Sequence, residues 1–103
     1  MQSVYLKFYV TEMQRHEGAL LYEWLLEEAK KLGSPGGSAF RAIAGFGRHG
    51  RLHDESFFEL AGELPVQVEL ILDTTLADKL LGALRAHKLK LFYVRYAVES
   101  GVL

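Results

Sequence analysis

The chain has 103 residues, twelve Lys and Arg against thirteen Asp and Glu, a net charge of −1, and no cysteine. That length allows one domain with its own core, and high apolar content with low net charge excludes intrinsic disorder. The lack of cysteine removes disulfides, iron–sulfur clusters and thiolate zinc sites, and the charge balance argues against a general nucleic-acid binder, which carries a basic excess. No apolar run approaches the roughly 20 residues of a spanning helix. The opening MQSVYLKFYV alternates instead of forming the basic flank and apolar block of a signal peptide, so a cytoplasmic location is expected.

Val4, Leu6, Phe8 and Val10 alternate with Tyr5, Lys7 and Tyr9, the period of a strand. Residues 11–16 break that alternation. From Glu17 the spacing turns helical: Leu21, Leu25, Ala29 and Leu32 form a stripe that Tyr22 and Leu26 widen. Lys30 and Lys31 come last, which suits the helix dipole, and Gly33 is a natural stop before a Ser-Pro-Gly-Gly turn. Residues 38–46, short and bounded by glycine, read as a strand. Residues 64–72 read as a clearer one, with Val66, Val68, Leu70 and Leu72 on one face and Gln67, Glu69 and Ile71 on the other. Pro65 suits only its start. Asp73 and the two threonines after it offer helix N-caps, and Leu76, Leu80, Leu81, Leu84 and His87 or Lys88 trace a second amphipathic helix. Residues 91–99 close the chain as a strand, Phe92, Val94, Tyr96 and Val98 alternating with Tyr93, Arg95 and Ala97.

The order strand, helix, strand, strand, helix, strand predicts an α+β, ferredoxin-like βαββαβ domain over residues 1–103, with both helices on one face of a four-stranded antiparallel sheet. The uncovered face would carry Tyr5, Lys7, Tyr9, Gln67, Glu69, Ile71, Tyr93 and Arg95. Aromatics mixed with pairable charges are the character of an interface, so Tyr5, Lys7, Tyr9, Glu69, Tyr93 and Arg95 are the expected self-association surface. Residues 47–63 join two strands that this topology makes a hairpin, a connection far longer than the usual 2–5 residues.

The segment from Arg41 to His53 holds the chemistry. Arg41, Arg48 and Arg51 gather there with His49 and His53, among Gly45, Gly47 and Gly50, which permit positive φ and close approach of a ligand. Arginine forks match phosphate oxygens bidentately. Arg41, Gly45, Phe46, Gly47, Arg48, His49, Arg51 and His53 are therefore candidate contacts for a phosphorylated ligand. The pattern is neither a Walker A loop nor a dinucleotide fingerprint. His49 and His53 lie four apart, but two imidazoles without a third fixed ligand make a poor metal site. His16 could complete it from elsewhere, and no metal ligand is assigned. Catalytic residues are not expected either, since no serine lies in an elbow or triad context. Glu12, Arg15 and His16 form a further polar group, which either caps the first helix or borders a ligand cleft.

Glu12, Arg15-His16, Gly18, Leu21-Tyr22, Ala44-Gly45-Phe46-Gly47, His53 and Leu64-Pro65-Val66 resemble the PII-like proteins classed as domain of unknown function 190, over nearly the whole chain. The resemblance implies a homotrimer with open sheet faces packed around a threefold axis and adenine nucleotides bound in clefts between subunits. It also implies a long hairpin, the T-loop, that reports the ligand to a partner, often a membrane transporter or channel. By that analogy Gly45, Phe46 and Gly47 begin the T-loop equivalent, and Arg48, His49, Arg51 and His53 meet phosphate. The loop is shorter than in true PII proteins and lacks the tyrosine that some of them modify. The expectation is a non-enzymatic signalling protein with no obligatory cofactor and an adenine nucleotide or similar effector. The alternative is a CutA-like metal-binding trimer. An RNA-binding module of the same element order would need a basic and aromatic strand motif where Val66–Leu70 offers none. An acylphosphatase-like enzyme would need a glycine-rich cradle that residues 11–17 lack.

Overall fold

The alternation of β1 (Gln2–Thr11) organises the sheet. In the computed structural model, which describes residues 2–45 and 64–103, β1 pairs antiparallel with β5 (Pro65–Leu72) on one side and β6 (Phe92–Glu99) on the other. The short β4 (Ser38–Arg41) adds to β5, giving the order β4-β5-β1-β6. Val4, Leu6, Phe8 and Val10 point to one face together with Val66, Val68, Leu70 and Leu72, and all are buried. Among the described residues, two helices cover that face. α1 (Leu21–Leu32) contributes Leu21, Leu25 and Ala29 to the core, and α2 (Thr74–Ala86) contributes Ala77, Leu80, Leu81 and Leu84. The α+β ferredoxin-like arrangement is the expected one.

The helix ends follow local chemistry. The Asp73 carboxylate accepts the backbone N–H of Leu76 at 2.8 Å, satisfying one orphan donor at the start of α2. At the end of α1, Gly33 takes a left-handed conformation (φ 101°) while its N–H donates to the Lys30 carbonyl and that of Ser34 to the Ala29 carbonyl. α2 ends in the same pattern with a non-glycine: Lys88 (φ 59°) donates to Arg85, and Leu89 donates to Leu84.

Three expectations change. α1 begins at Leu21 and not near Glu17, because residues 15–20 form a small hairpin, β2 (Arg15–His16) with β3 (Ala19–Leu20). Its two-residue loop has φ 51° at Glu17 and φ 81° at Gly18, the pair of positive values that a type I′ turn requires. No side chain caps α1; the Leu21 N–H donates instead to the Gln14 carbonyl at 2.7 Å. The strand expected over 38–46 ends at Arg41.

The third change concerns the open face. Register places Tyr93 opposite Phe8 and Arg95 opposite Leu6, so both lie on the helix side of the edge strand. There Arg95 donates to the Asp78 carboxylate of α2 at 2.7 Å. Their expected place on the open face is taken by Phe92, opposite Tyr9, by Val94, opposite Lys7, and by Tyr96, opposite Tyr5. The alternation of β6 is legible, but its phase is set by pairing with β1, and there the apolar set turns away from the helices. Asp73→Ala should cost about 1 kcal/mol by removing the α2 cap, lowering the midpoint of thermal unfolding by roughly 4–8 °C; calorimetry on the variant and the parent checks this.

Candidate functional site

The face of the sheet turned away from the helices carries aromatic and aliphatic side chains around a charged pair. Tyr5 stacks on Tyr96 with centroids 4.8 Å apart, and Tyr9 meets Phe92 at 5.5 Å. Between the two pairs, Lys7 lies 3.7 Å from Glu69 and within 5.5 and 5.8 Å of the Tyr5 and Tyr9 rings, so the face centres on one cation held by a carboxylate and two aromatic rings. Phe40 of β4 and Ile71 of β5 share this face, opposite Gln67 and Tyr5 respectively, and both are exposed. Tyr5, Lys7, Tyr9 and Glu69 thus lie together as expected, while Tyr93 and Arg95 do not join them.

The end of the sheet where β1 stops gathers the polar groups. Thr11 pairs with Pro65, the Glu12 N–H donates to the Leu64 carbonyl at 2.9 Å, and the Ala42 N–H donates to the Pro65 carbonyl at 2.8 Å. These bonds clamp the point where the chain leaves β4 and returns to β5. Across it the Arg41 guanidinium forms an ion pair with the Glu12 carboxylate, which is the more buried of the two. Arg41 is therefore at the base of the long connection, as the sequence suggests, but already engaged. Gly45 follows close by, yet positive φ is not what it supplies: among the described glycines only Gly18 and Gly33 are left-handed. A Cβ at Gly45 would stand 3.4 Å from the Pro65 ring, an ordinary van der Waals contact. Phe46, Gly47, Arg48, His49, Arg51 and His53 lie outside the described residues.

The same end also receives the loop after α2, since α2 runs back from the far end and β6 begins opposite Tyr9. His87, just past α2, meets His16 of β2, and the indole of Trp24 on α1 packs edge-on against both rings at 4.9 and 4.6 Å. The sequence singles out His16 but not His87 or Glu17 as its neighbours. No spacing rule joins residues 71 positions apart.

The family model for domain of unknown function 190, described as “Uncharacterized ACR”, matches residues 3–99. The chain belongs to that family. It is 41% identical over 66 residues to a UPF0166 protein of Aquifex aeolicus (strain VF5), covering 64% of this chain and 63% of the relative. It is 32% identical over 66 residues to a UPF0166 protein of Methanocaldococcus jannaschii, covering 64% and 60%. The matched segment thus spans about three-fifths of the length of these curated relatives. Among solved structures, the fold is similar to CPII of Thiomonas intermedia K12 bound to ADP, AMP and acetate, with a TM-score of 0.67 at 14% identity over 98% of this chain and 90% of that one. The structure of CPII, a nitrogen regulatory PII-like protein, with ADP, AMP and bicarbonate gives 0.65 at 14% identity, covering 100% and 97%. The fold of this DUF190 chain is PII-like.

Backbone hydrogen bonds already fasten the sheet end, so Glu12→Gln should lower unfolding free energy by less than about 1 kcal/mol, the usual worth of a solvent-accessible ion pair. Urea denaturation measures it; a loss of several kcal/mol would make the Glu12–Arg41 pair a folding element and not a ligand-responsive one.

Proposed function

We propose that the protein is a PII-like signalling protein that assembles as a homotrimer through its open sheet faces. It binds an adenine nucleotide or similar phosphorylated effector in the clefts between subunits. The observation that carries this reading is the outward phase of β6: an edge strand that turns Phe92, Val94 and Tyr96 away from its own helices has its apolar side on the uncovered face. A further copy of the same sheet supplies aromatic and charged partners of the matching kind. Packing sheets there leaves the sheet end, with Arg41 and the start of the glycine-rich segment, at the border of the assembly.

In this reading Arg41 together with Arg48, His49, Arg51 and His53 hold the phosphates, and Gly45, Phe46 and Gly47 let the backbone approach them. Residues 47–63 report the bound phosphate by changing the surface offered to a partner, such as a membrane transporter or channel. The Glu12–Arg41 pair adds a release element: a phosphate that takes the guanidinium sets the carboxylate free beside β1. The role is regulatory, not catalytic, requires no resident cofactor and involves no nucleic acid, and the setting is the cytoplasm. The CPII structures with ADP and AMP support the choice of effector class.

Calorimetric titration with ADP and AMP tests this. Saturable heat is expected, with about 2.7 kcal/mol of added stability at 100 times the dissociation constant. The Arg48→Ala, Arg51→Ala double variant should weaken affinity by about tenfold or more, since each charge-assisted hydrogen bond contributes about 1.5–3 kcal/mol. Neither heat nor thermal shift at millimolar nucleotide would overturn the reading.

A further inference from the structure

We infer that His16, His87 and Glu17 form a binding site for a divalent transition-metal ion of the zinc class, at the sheet end but on the body of the protein. Three donor atoms converge there: His16 Nε2 and His87 Nδ1 are 3.4 Å apart, and Glu17 Oε1 lies 3.5 Å from the His87 nitrogen and 4.0 Å from that of His16. A tetrahedral ion bound at about 2.0–2.1 Å requires donors about 3.3 Å apart along each edge. The two imidazole nitrogens already stand at that separation. The carboxylate needs only a side-chain rotation to close the third edge. Two imidazoles and one carboxylate are borderline ligands suited to zinc, cobalt, nickel or copper and not to magnesium or calcium, which take oxygen.

The backbone holds the three donors in place independently of any ion. His16 and Glu17 sit on the type I′ hairpin, which the Arg15 guanidinium ties to the Gly18 carbonyl at 2.9 Å. His87 is fixed by the paired hydrogen bonds that end α2. Among the described residues the non-glycine positions in the left-handed region are Glu17, one of the three donors, and Lys88, next to another. Trp24 walls the two rings on one side, while the exposed Glu17 leaves the other side to water, so a bound ion keeps an open coordination position.

The site does not depend on the nucleotide reading and differs from a metal centre at His49 and His53. Titration of the nucleotide-free full-length protein with zinc chloride, by calorimetry, should give saturable binding of one ion per chain. Cobalt should show the intense visible bands of a tetrahedral complex and quench Trp24, the chain's one tryptophan. His16→Ala and His87→Ala should each weaken binding by at least about tenfold, whereas His49→Ala with His53→Ala should leave it unchanged. Glu17→Gln, at a solvent-exposed position, reports on the third donor without disturbing the ring packing and should also weaken binding. Absence of saturable binding would overturn the assignment. So would affinity that follows His49 and His53 while ignoring His16, His87 and Glu17.

Discussion

Strand β1 is the constraint on which the molecule depends. It has a partner on each side, and its register with β5 and β6 decides which residues of all three strands face the helices. A slip by one residue would carry Phe8 and Leu6 to the open face and bury Lys7, exchanging every side chain between core and surface. The cost is prohibitive because Phe8, Leu6 and their β5 neighbours Val68 and Leu70 are essentially fully buried. The same register aligns Tyr5 with Tyr96 and Tyr9 with Phe92, and it brings the C-terminal end of β1 to the point where the long connection departs. Core, open face and polar end are three consequences of one alignment.

Most of the architecture is legible in the chain because its signals are local and periodic. The apolar stripes of α1 and α2, the alternation of β1 and β5, Gly33 as a stop and Asp73 as a cap all act within a few residues of where they are read. The hairpin at residues 15–20 is not legible by periodicity, since two-residue strands are too short to alternate, and its sequence mark is only the Glu17-Gly18 pair. The facing of β6 is a tertiary property: its apolar and mixed sets are both visible, but an edge strand has no internal rule for which of them meets the helices. The sequence points to Tyr93 and Arg95 as open-face residues because polarity is the usual guide to the outside; here the face turned away from the helices carries the apolar set.

The candidate site divides in the same way. Arg41 and Gly45 are singled out by composition, and they do stand at the base of the connection. Their immediate surroundings, the Glu12 carboxylate and the Pro65 ring, come from elements that only the sheet brings together. His16 and His87 meet because α2 returns to the end where β1 finishes, a closure that no linear spacing encodes. Both polar groups hang from the single segment that leaves β1, Glu12 at its start and His16 a few residues on.

In the proposed trimer the open β face, with its outward-turned Phe92, Val94 and Tyr96, is covered by further copies of this chain. Sedimentation equilibrium on the purified protein should then find a species with three times the 11.6 kDa mass of one chain, stable over a wide range of dilution. A particle of 11.6 kDa at every concentration would contradict it.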